Sequence, residues 1–217
     1  MTPSLHRGQT TIAIGAGMDR AKKQLVDPAC ANIKESKMTH VMVDLETLGN
    51  KPGCKIMSIG AVVFGPAGLG AKFYVRIKRR GQGLLIEDPD TMDWWSKQTP
   101  EAKSEIFGDD ESRGAWLLSD ALDEFNKFLE RVSKRDDKGN LDTNLWGNGA
   151  DFDNAILQVA MTSQDTEPVW KFWNNRCYRT LKSLYPNIKM NRAGTHHNAL
   201  DDAESQAEHA VRILYQG

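Results

Sequence analysis

The 217 residues balance 28 Lys and Arg against 29 Asp and Glu for a formal net charge of −1, and 40% of the chain is hydrophobic, the composition of an ordinary globular domain. A chain of this length buries roughly 70% of its unfolded surface without disulfide or metal staples, and its charge excludes coating duplex DNA by bulk positive potential, so any contact with nucleic acid must come from a local patch. Cys30, Cys54 and Cys177 are too few and too scattered for a disulfide framework or a Cys-rich zinc site, and no run approaches the ~18 apolar residues that span a bilayer; a reducing, cytoplasmic setting with no membrane contact is expected.

Residues 1–37 mix Gly, Pro, Lys and Asp with no sustained period and read as an appendage of unknown role. The patterned region, residues 38–217, is expected to form one domain, and a start at Met38 would still encode it whole. Val41-Met42-Val43, ending at Asp44, has the apolar character of a strand buried on both faces. Lys55 to Phe64 and Ala71 to Ile77 read as two further strands separated by Gly65-Pro66-Ala67-Gly68, so an antiparallel three-strand meander is expected. Thr91 to Gln98 and Glu101 to Phe107 read as short helical pieces divided by Pro100. Ala115 to Val132 places Leu117, Leu118, Ala121, Leu122, Phe125, Phe128, Leu129 and Val132 at helical spacing. Asn144 to Gly147 is a short buried strand, Asp153 to Met161 opens another helix, and Ala199 to Tyr215 sets Leu200, Ala203, Ala207, Ala210, Val211 and Leu214 on one stripe. Strands first, then alternating helix and strand, predict an α/β or α+β domain with a mixed central sheet flanked by helices.

Three short segments carry candidate chemistry. Asp44-Leu45-Glu46 ends a buried strand, and alternation sends both carboxylates to one face, where they repel unless a cation lies between them. Hard oxygen donors of this kind suit Mg²⁺ or Mn²⁺. Asp-x-Glu also occurs at Asp109/Glu111 and Asp202/Glu204, so the position at the end of an apolar strand is what distinguishes the first pair. Gly149-Ala150-Asp151-Phe152-Asp153 follows the strand at Trp146; taken alone, Asp153 reads first as a cap of the helix that it opens. His197-Asn198-Ala199-Leu200-Asp201-Asp202-Ala203 stands at the entrance to the last helix, where His197 and Asp202 can face one cleft while Leu200 and Ala203 anchor the helix; His196 reads as an ordinary loop residue.

In this order the three segments resemble the motifs of DEDDh 3′→5′ exonucleases with the ribonuclease H-like fold, over about residues 38–217. Asp44-Leu45-Glu46-Thr47 matches the family's Asp-x-Glu-Thr, and Gly149-Ala150-Asp151-Phe152-Asp153 aligns with Asn-Ala-x-Phe-Asp, departing at Gly149. His197 to Ala203 matches His-x-Ala-x-x-Asp-Ala throughout. Asp93-Trp94-Trp95, Trp146 to Gly149 and Arg176 to Thr180 are similar to phage and prophage exonucleases of this superfamily, the T-even exonuclease A and exodeoxyribonuclease VIII-like group, for which the setting is the host cytoplasm.

The resemblance implies two-metal hydrolysis of a nucleic acid from its 3′ end to nucleoside 5′-monophosphates, with DNA favoured over RNA. Two divalent ions, Mg²⁺ or Mn²⁺, would be held by Asp44, Glu46, Asp153 and Asp202. His197 would be the general base, its ordinary pKa of about 6.5 lying near working pH. Thr47 and Leu48 would grip the terminal nucleotide, Trp94 and Trp95 would offer stacking surfaces with one of the two in the core, and Arg79, in the basic cluster Arg76 to Arg80, would meet phosphates or simply face water. An exoribonuclease or oligoribonuclease is the nearest alternative; an inactive nucleic-acid-binding scaffold is the alternative of another class.

Overall fold

The computed structural model describes residues 39–216. The appendage expected over residues 1–37 lies outside the described residues. Five strands form one sheet in the order β3-β2-β1-β4-β5. The first three, β1 (Thr39–Thr47), β2 (Ile56–Gly65) and β3 (Gly68–Arg76), make the expected antiparallel meander, while β4 (Thr143–Gly147) and β5 (Asn175–Cys177) add on in parallel beside β1. The fold is therefore the expected α/β architecture with a mixed central sheet flanked by helices.

Strand alternation divides β1 between two cores. Val41, Val43 and Leu45 join the larger apolar cluster with α3 (Leu118–Val132) and α4 (Ala155–Ser163), whereas Met42 joins a second cluster with Ala203, Ala207 and Ala210 of α6 (Ala199–Tyr215). Asp44 and Glu46 follow Met42 at two-residue steps, so the same alternation aims their carboxylates at the α6 side. Strand β2 is buried along its whole length because α6 covers the face that α3 leaves open. In α3, Leu118, Ala121, Leu122, Phe125, Phe128 and Leu129 are buried, and each Leu or Phe so buried contributes about 1.5–3 kcal/mol.

Several boundaries differ from the sequence reading. The first short helix, α1 (Pro89–Ser96), begins two residues early because the Asp88 carboxylate accepts from the amides of Asp90 and Thr91, with Pro89 in its first turn. The next, α2 (Pro100–Phe107), starts on Pro100 itself with Thr99 as its cap. Helix α3 starts at Leu118 rather than Ala115, since the Trp116 amide is bonded to the Arg76 carbonyl as a continuation of β3; Leu117 is the exposed residue before the first turn. Leu214, placed on the apolar stripe of α6 by its spacing, is exposed, and Ile213 takes the buried position. Two elements carry no legible period: β5, three residues long, and α5 (Tyr178–Leu184) directly after it.

Candidate active site

The candidate site lies where β1 and β4 end against the beginning of α6. The register pairs Asp44 with Gly60 on β2, and the space where a Gly60 side chain would stand is filled by backbone: a Cβ there would lie 2.2 Å from the Ala199 carbonyl carbon and 2.3 Å from Leu200 N. Glycine at this one position lets the first turn of α6 rest on the sheet. Asn198 caps that turn, its side-chain oxygen accepting from the amides of Leu200 and Asp201, and its amide group reaches Tyr74 Oη at 3.3 Å. Asp202 thereby comes to the end of β1.

Glu46, His197 and Asp202 form the tightest group, with one donor atom of each within 4.8 Å of the others. His197 takes a left-handed backbone conformation, φ 64°, and its own N–H donates to Asp202 Oδ2 at 3.2 Å. Its ring packs edge-on against Trp94, with centroids 4.9 Å apart, and against Trp95 at 5.7 Å. Burial is the larger cause holding the His197 imidazole below its usual pKa; the neighbouring His196 acts in the same direction and Asp202 opposes it. The other Asp202 oxygen, Oδ1, pairs with the Arg192 guanidinium.

Asp44 and Asp153 stand outside that tightest group yet share its electrostatics. Burial, followed by the charges of Asp153, Glu46 and Asp202, pushes the Asp44 carboxyl well above the carboxylate range, against a 2.7 Å hydrogen bond donated to its Oδ1 by Gln206 Nε2. Burial, with Asp202 and Asp153 next, pushes Glu46 up to about 8. Burial likewise pushes Asp153 up to about 7, and its Oδ2 is a buried oxygen with no hydrogen-bond partner. All three carboxyls are raised chiefly by burial, and the nearby guanidinium groups, Arg192 against Glu46 and Asp202 and Arg179 against Asp153, offset this only in part.

Asp153 does not sit in the first turn of an α-helix as its spacing implies. It belongs to a five-residue π turn, Ala150–Asn154, that precedes α4. Gly149 enters this turn at φ 134°, and its carbonyl accepts the Asp153 N–H. The turn folds back so closely that a Cβ on Gly147 would fall 2.4 Å from Asn154 Oδ1 and 2.8 Å from Asp153 Cβ. Asn154 Nδ2 ties the turn down by donating to the Leu145 carbonyl and to Asn175 Oδ1. The neighbouring carboxylates are turned elsewhere: Asp151 is exposed, and Asp201 Oδ2 accepts the Thr195 N–H at 2.6 Å.

Beside the carboxylates a cleft of about 370 Å³ is lined by Glu46, Thr47, Asn50, Thr91, Trp94 and Phe152, among others. The two tryptophans divide as expected. Trp94 is 43% exposed at the cleft wall, whereas Trp95 is 1% exposed and donates its indole N–H to the Thr47 carbonyl at 2.9 Å, fixing the end of β1. Thr47 lines the cleft with its hydroxyl donating to the Gly49 carbonyl. Two expected contact residues are placed differently. Leu48 has no exposed surface; it packs with Met57, Trp95, Ala102 and Ile106 because the chain turns inward after a register shift at Glu46/Thr47, so it supports the cleft from behind. Arg79 is gripped by both oxygens of Glu87 at 2.9 and 2.6 Å, and Arg76 by Glu105, which leaves Arg79 already paired with a carboxylate.

Gln206 and Arg192 were not singled out by sequence reasoning, and Gly60 was noted only within Ser58-Ile59-Gly60-Ala61-Val62, the continuation of the first motif, with no role of its own. Gln206 follows Asp202 by four residues, one helical turn, and that spacing was the available signal. Arg192 gave none, and the packing role of Gly60 could not be read locally, because the importance of both lies in what the folded chain brings against them.

A mixed sheet in this order, with carboxylates at the ends of β1 and β4 and at the entrance to the last helix, defines a ribonuclease H-like enzyme of the 3′-5′ exonuclease class. The family model described as the 3′-5′ exoribonuclease Rv2179c-like domain matches residues 39–214, and the chain belongs to that family. A curated protein of Enterobacteria phage T4, an exodeoxyribonuclease, is 26% identical over 172 residues, which are 66% of this chain and 70% of that one. Among solved structures, E. coli exonuclease I in complex with a dT13 oligonucleotide shares the fold at a TM-score of 0.56 and 13% identity, over 82% of this chain and 41% of that one. The chain thus spans about two fifths of exonuclease I. The nuclease domain of 3′hExo, a DEDDh family member bound to rAMP, matches at a TM-score of 0.54 and 14% identity over 84% of this chain and 95% of that domain. No helix among the described residues is long and apolar enough to cross a membrane.

Proposed function

We propose that the protein is a metal-dependent exonuclease that removes nucleoside 5′-monophosphates one at a time from the 3′ end of a single DNA strand. The observation that carries this reading is the Glu46, His197 and Asp202 group within 4.8 Å, with the raised carboxyls of Asp44 and Asp153 beside it, opening on a cleft large enough for a nucleotide. The donor set fits hard divalent cations. Asp153 Oδ2 is buried with no partner, an arrangement that costs several kcal/mol unless a cation compensates it, and all the remaining donors are carboxylate oxygens. Asp44, Glu46, Asp153 and Asp202 would hold two ions, Mg²⁺ or Mn²⁺, which when bound supply Lewis-acid polarisation of the phosphate and neutralise its charge.

The chain's own residues do the rest. His197, kept neutral near pH 7 by its lowered pKa, takes a proton from the attacking water as the oxygen approaches phosphorus. The bond from phosphorus to the 3′ oxygen of the preceding nucleotide breaks, that oxygen takes a proton from solvent water to become the new 3′ hydroxyl, and the phosphate leaves on the 5′ carbon of the released nucleotide. Trp94 stacks on the terminal base while Trp95, anchored to the Thr47 carbonyl, keeps the cleft wall in position.

DNA is the favoured substrate because the T4 relative is an exodeoxyribonuclease; the Rv2179c-like family description favours RNA as the second reading. The deciding experiment is a time course on matched 5′-labelled DNA and RNA strands with Mg²⁺, Mn²⁺ or EDTA, alongside Asp44→Ala. A metal-dependent ladder shortening from the 3′ end on DNA, absent in the variant, is expected. Shortening of RNA alone would move the assignment to the second reading. Strand binding with no shortening in any metal would replace the enzyme by a nucleic-acid-binding scaffold.

A further inference from the structure

From Pro168 to Leu200 the chain carries Lys171, Arg176, Arg179, Lys182, Lys189 and Arg192 and no Asp or Glu, within a protein whose overall charge is −1. The fold gathers this stretch at one edge of the sheet: the loop before β5, β5 itself, α5 and the approach to α6. Near the other end of the sheet Lys55 and Arg79 pair with Glu87, Lys72 with Glu204 and Arg76 with Glu105. Along this edge Arg176, Arg179 and Lys182 bond only to neutral oxygens: Arg176 to the carbonyls of Trp173 and Asn175 at 2.9 Å, Arg179 to the Asn148 carbonyl at 2.6 Å, Lys182 to Asn148 Oδ1 at 3.3 Å. A phosphate approaching them displaces no carboxylate.

The same edge shows the largest exposed aromatic pair among the described residues. Phe172 and Trp173, on a short turn leading into β5, are 69% and 60% exposed, with ring centroids 5.0 Å apart and planes at 78°. Their backbone is held in place: Arg176 bonds the Trp173 carbonyl, and Asn175 Oδ1 accepts both Trp170 Nε1 and Asn154 Nδ2, the residue next to Asp153. Rigid exposed aromatics beside unpaired cations are the means by which proteins hold single strands without reading their sequence. The edge also abuts the candidate active site, since Arg179 bonds Asn148 just before the turn carrying Asp153 and Arg192 pairs with Asp202.

We infer that the body of the single strand whose 3′ end enters the carboxylate cleft runs back over this edge, with bases stacked on Phe172 and Trp173 and phosphates on Arg176, Arg179 and Lys182. The inference rests on the exonuclease reading and specifies where that substrate is gripped. It implies that affinity grows with strand length beyond the terminal nucleotide.

The test separates grip from hydrolysis. In EDTA, a fluorescein-labelled DNA strand of about twenty nucleotides and a dinucleotide are titrated with the wild type, with Phe172→Ala/Trp173→Ala and with Lys182→Ala. Expected are a preference of the wild type for the long strand, an affinity loss of about tenfold or more in the double variant, and for Lys182→Ala a slope of log Kd against log salt shallower by about 0.7. The altered side chains are exposed or half-buried, and circular dichroism melting verifies that each variant is folded. Unchanged long-strand affinity and salt slope in these variants, beside a wild type that shortens the strand with Mg²⁺, overturns the proposed path and leaves the exonuclease reading standing. A wild type that shortens neither DNA nor RNA overturns that reading, and the path with it.

Discussion

Gly60 and Ala199 meet where the first turn of α6 rests on the sheet: a side chain on Gly60 would begin 2.2 Å from the Ala199 carbonyl carbon and 2.3 Å from its oxygen. Backbone cannot rotate away as a flexible side chain can. Gly60→Ala is therefore expected to destabilise the protein by about 1–3 kcal/mol, and because α6 must lift where it carries Asp202, to lower hydrolysis by more than the stability loss explains. Thermal melting together with kcat at a temperature where the variant is folded checks both. A melting temperature equal to the wild type's would refute the packing argument.

The pH dependence of stability has a definite sign. Glu46 rises from 4.5 to about 8 on folding and Asp153 from 3.8 to about 7, so in metal-free protein their protonated forms are favoured by the fold. The stability linked to them is complete below the unfolded values and is lost as pH rises through about 8. Glu87, held down at about 2 by its hydrogen bonds from Arg79, acts oppositely but only below its usual 4.5, outside that window. Melting in EDTA should accordingly fall with rising pH through the neutral range, and Mg²⁺ should flatten the decline. A melting temperature that climbs over the same range would contradict the charge assignment.

Gln206 donates to Asp44 at 2.7 Å while its own Oε1 is buried without a partner, so its one bond serves to orient that carboxylate. Gln206→Leu is expected to weaken Mn²⁺ binding about tenfold or more, the usual effect of removing a hydrogen bond behind a ligand. Calorimetric titration of the metal reads this without any turnover. Affinity retained in the variant would mean that Asp44 is held by other means.

His197→Ala should lower the hydrolysis rate by a factor of about 10² to 10⁴ while leaving strand affinity in EDTA within a few-fold. In the wild type the acid limb of the rate profile should fall below pH 6.5, the direction in which burial moves this imidazole. A variant as fast as the wild type at every pH would remove His197 from proton transfer.

How much of this was legible beforehand depended on whether the information was local. Helix α6 was readable to its ends because its alanines and Val211 recur at helical spacing over 17 residues, and the meander because each strand was set off by turn residues. Strand β5, at three residues, is shorter than any period that could reveal it. The π turn at Asp153 depends on Gly147 and Gly149 admitting a fold-back that spacing rules count as ordinary helix. Leu48 and Arg79 illustrate the same limit from the other side: which way Leu48 points follows from a register shift, and whether Arg79 is paired follows from Glu87, eight residues away on a separate loop. The candidate carboxylates could be named from sequence as expectations; the raised pKa values of Asp44, Glu46 and Asp153 and the unpartnered Oδ2 of Asp153 arise only when distant segments are packed together.

The hydrogen bond between Gln206 and Asp44 spans 162 residues of chain. A ribosome delivers β1 with two of the four carboxylates long before it delivers α6 with Asp202, and until that helix docks there is no complete set of donors. On the proposed reading, a chain in which α6 has not docked lacks Asp202 beside Glu46 and cannot degrade the nucleic acid around it. On that reading the docking of the final helix also serves as a safety catch, since an incompletely folded copy is harmless to nucleic acid.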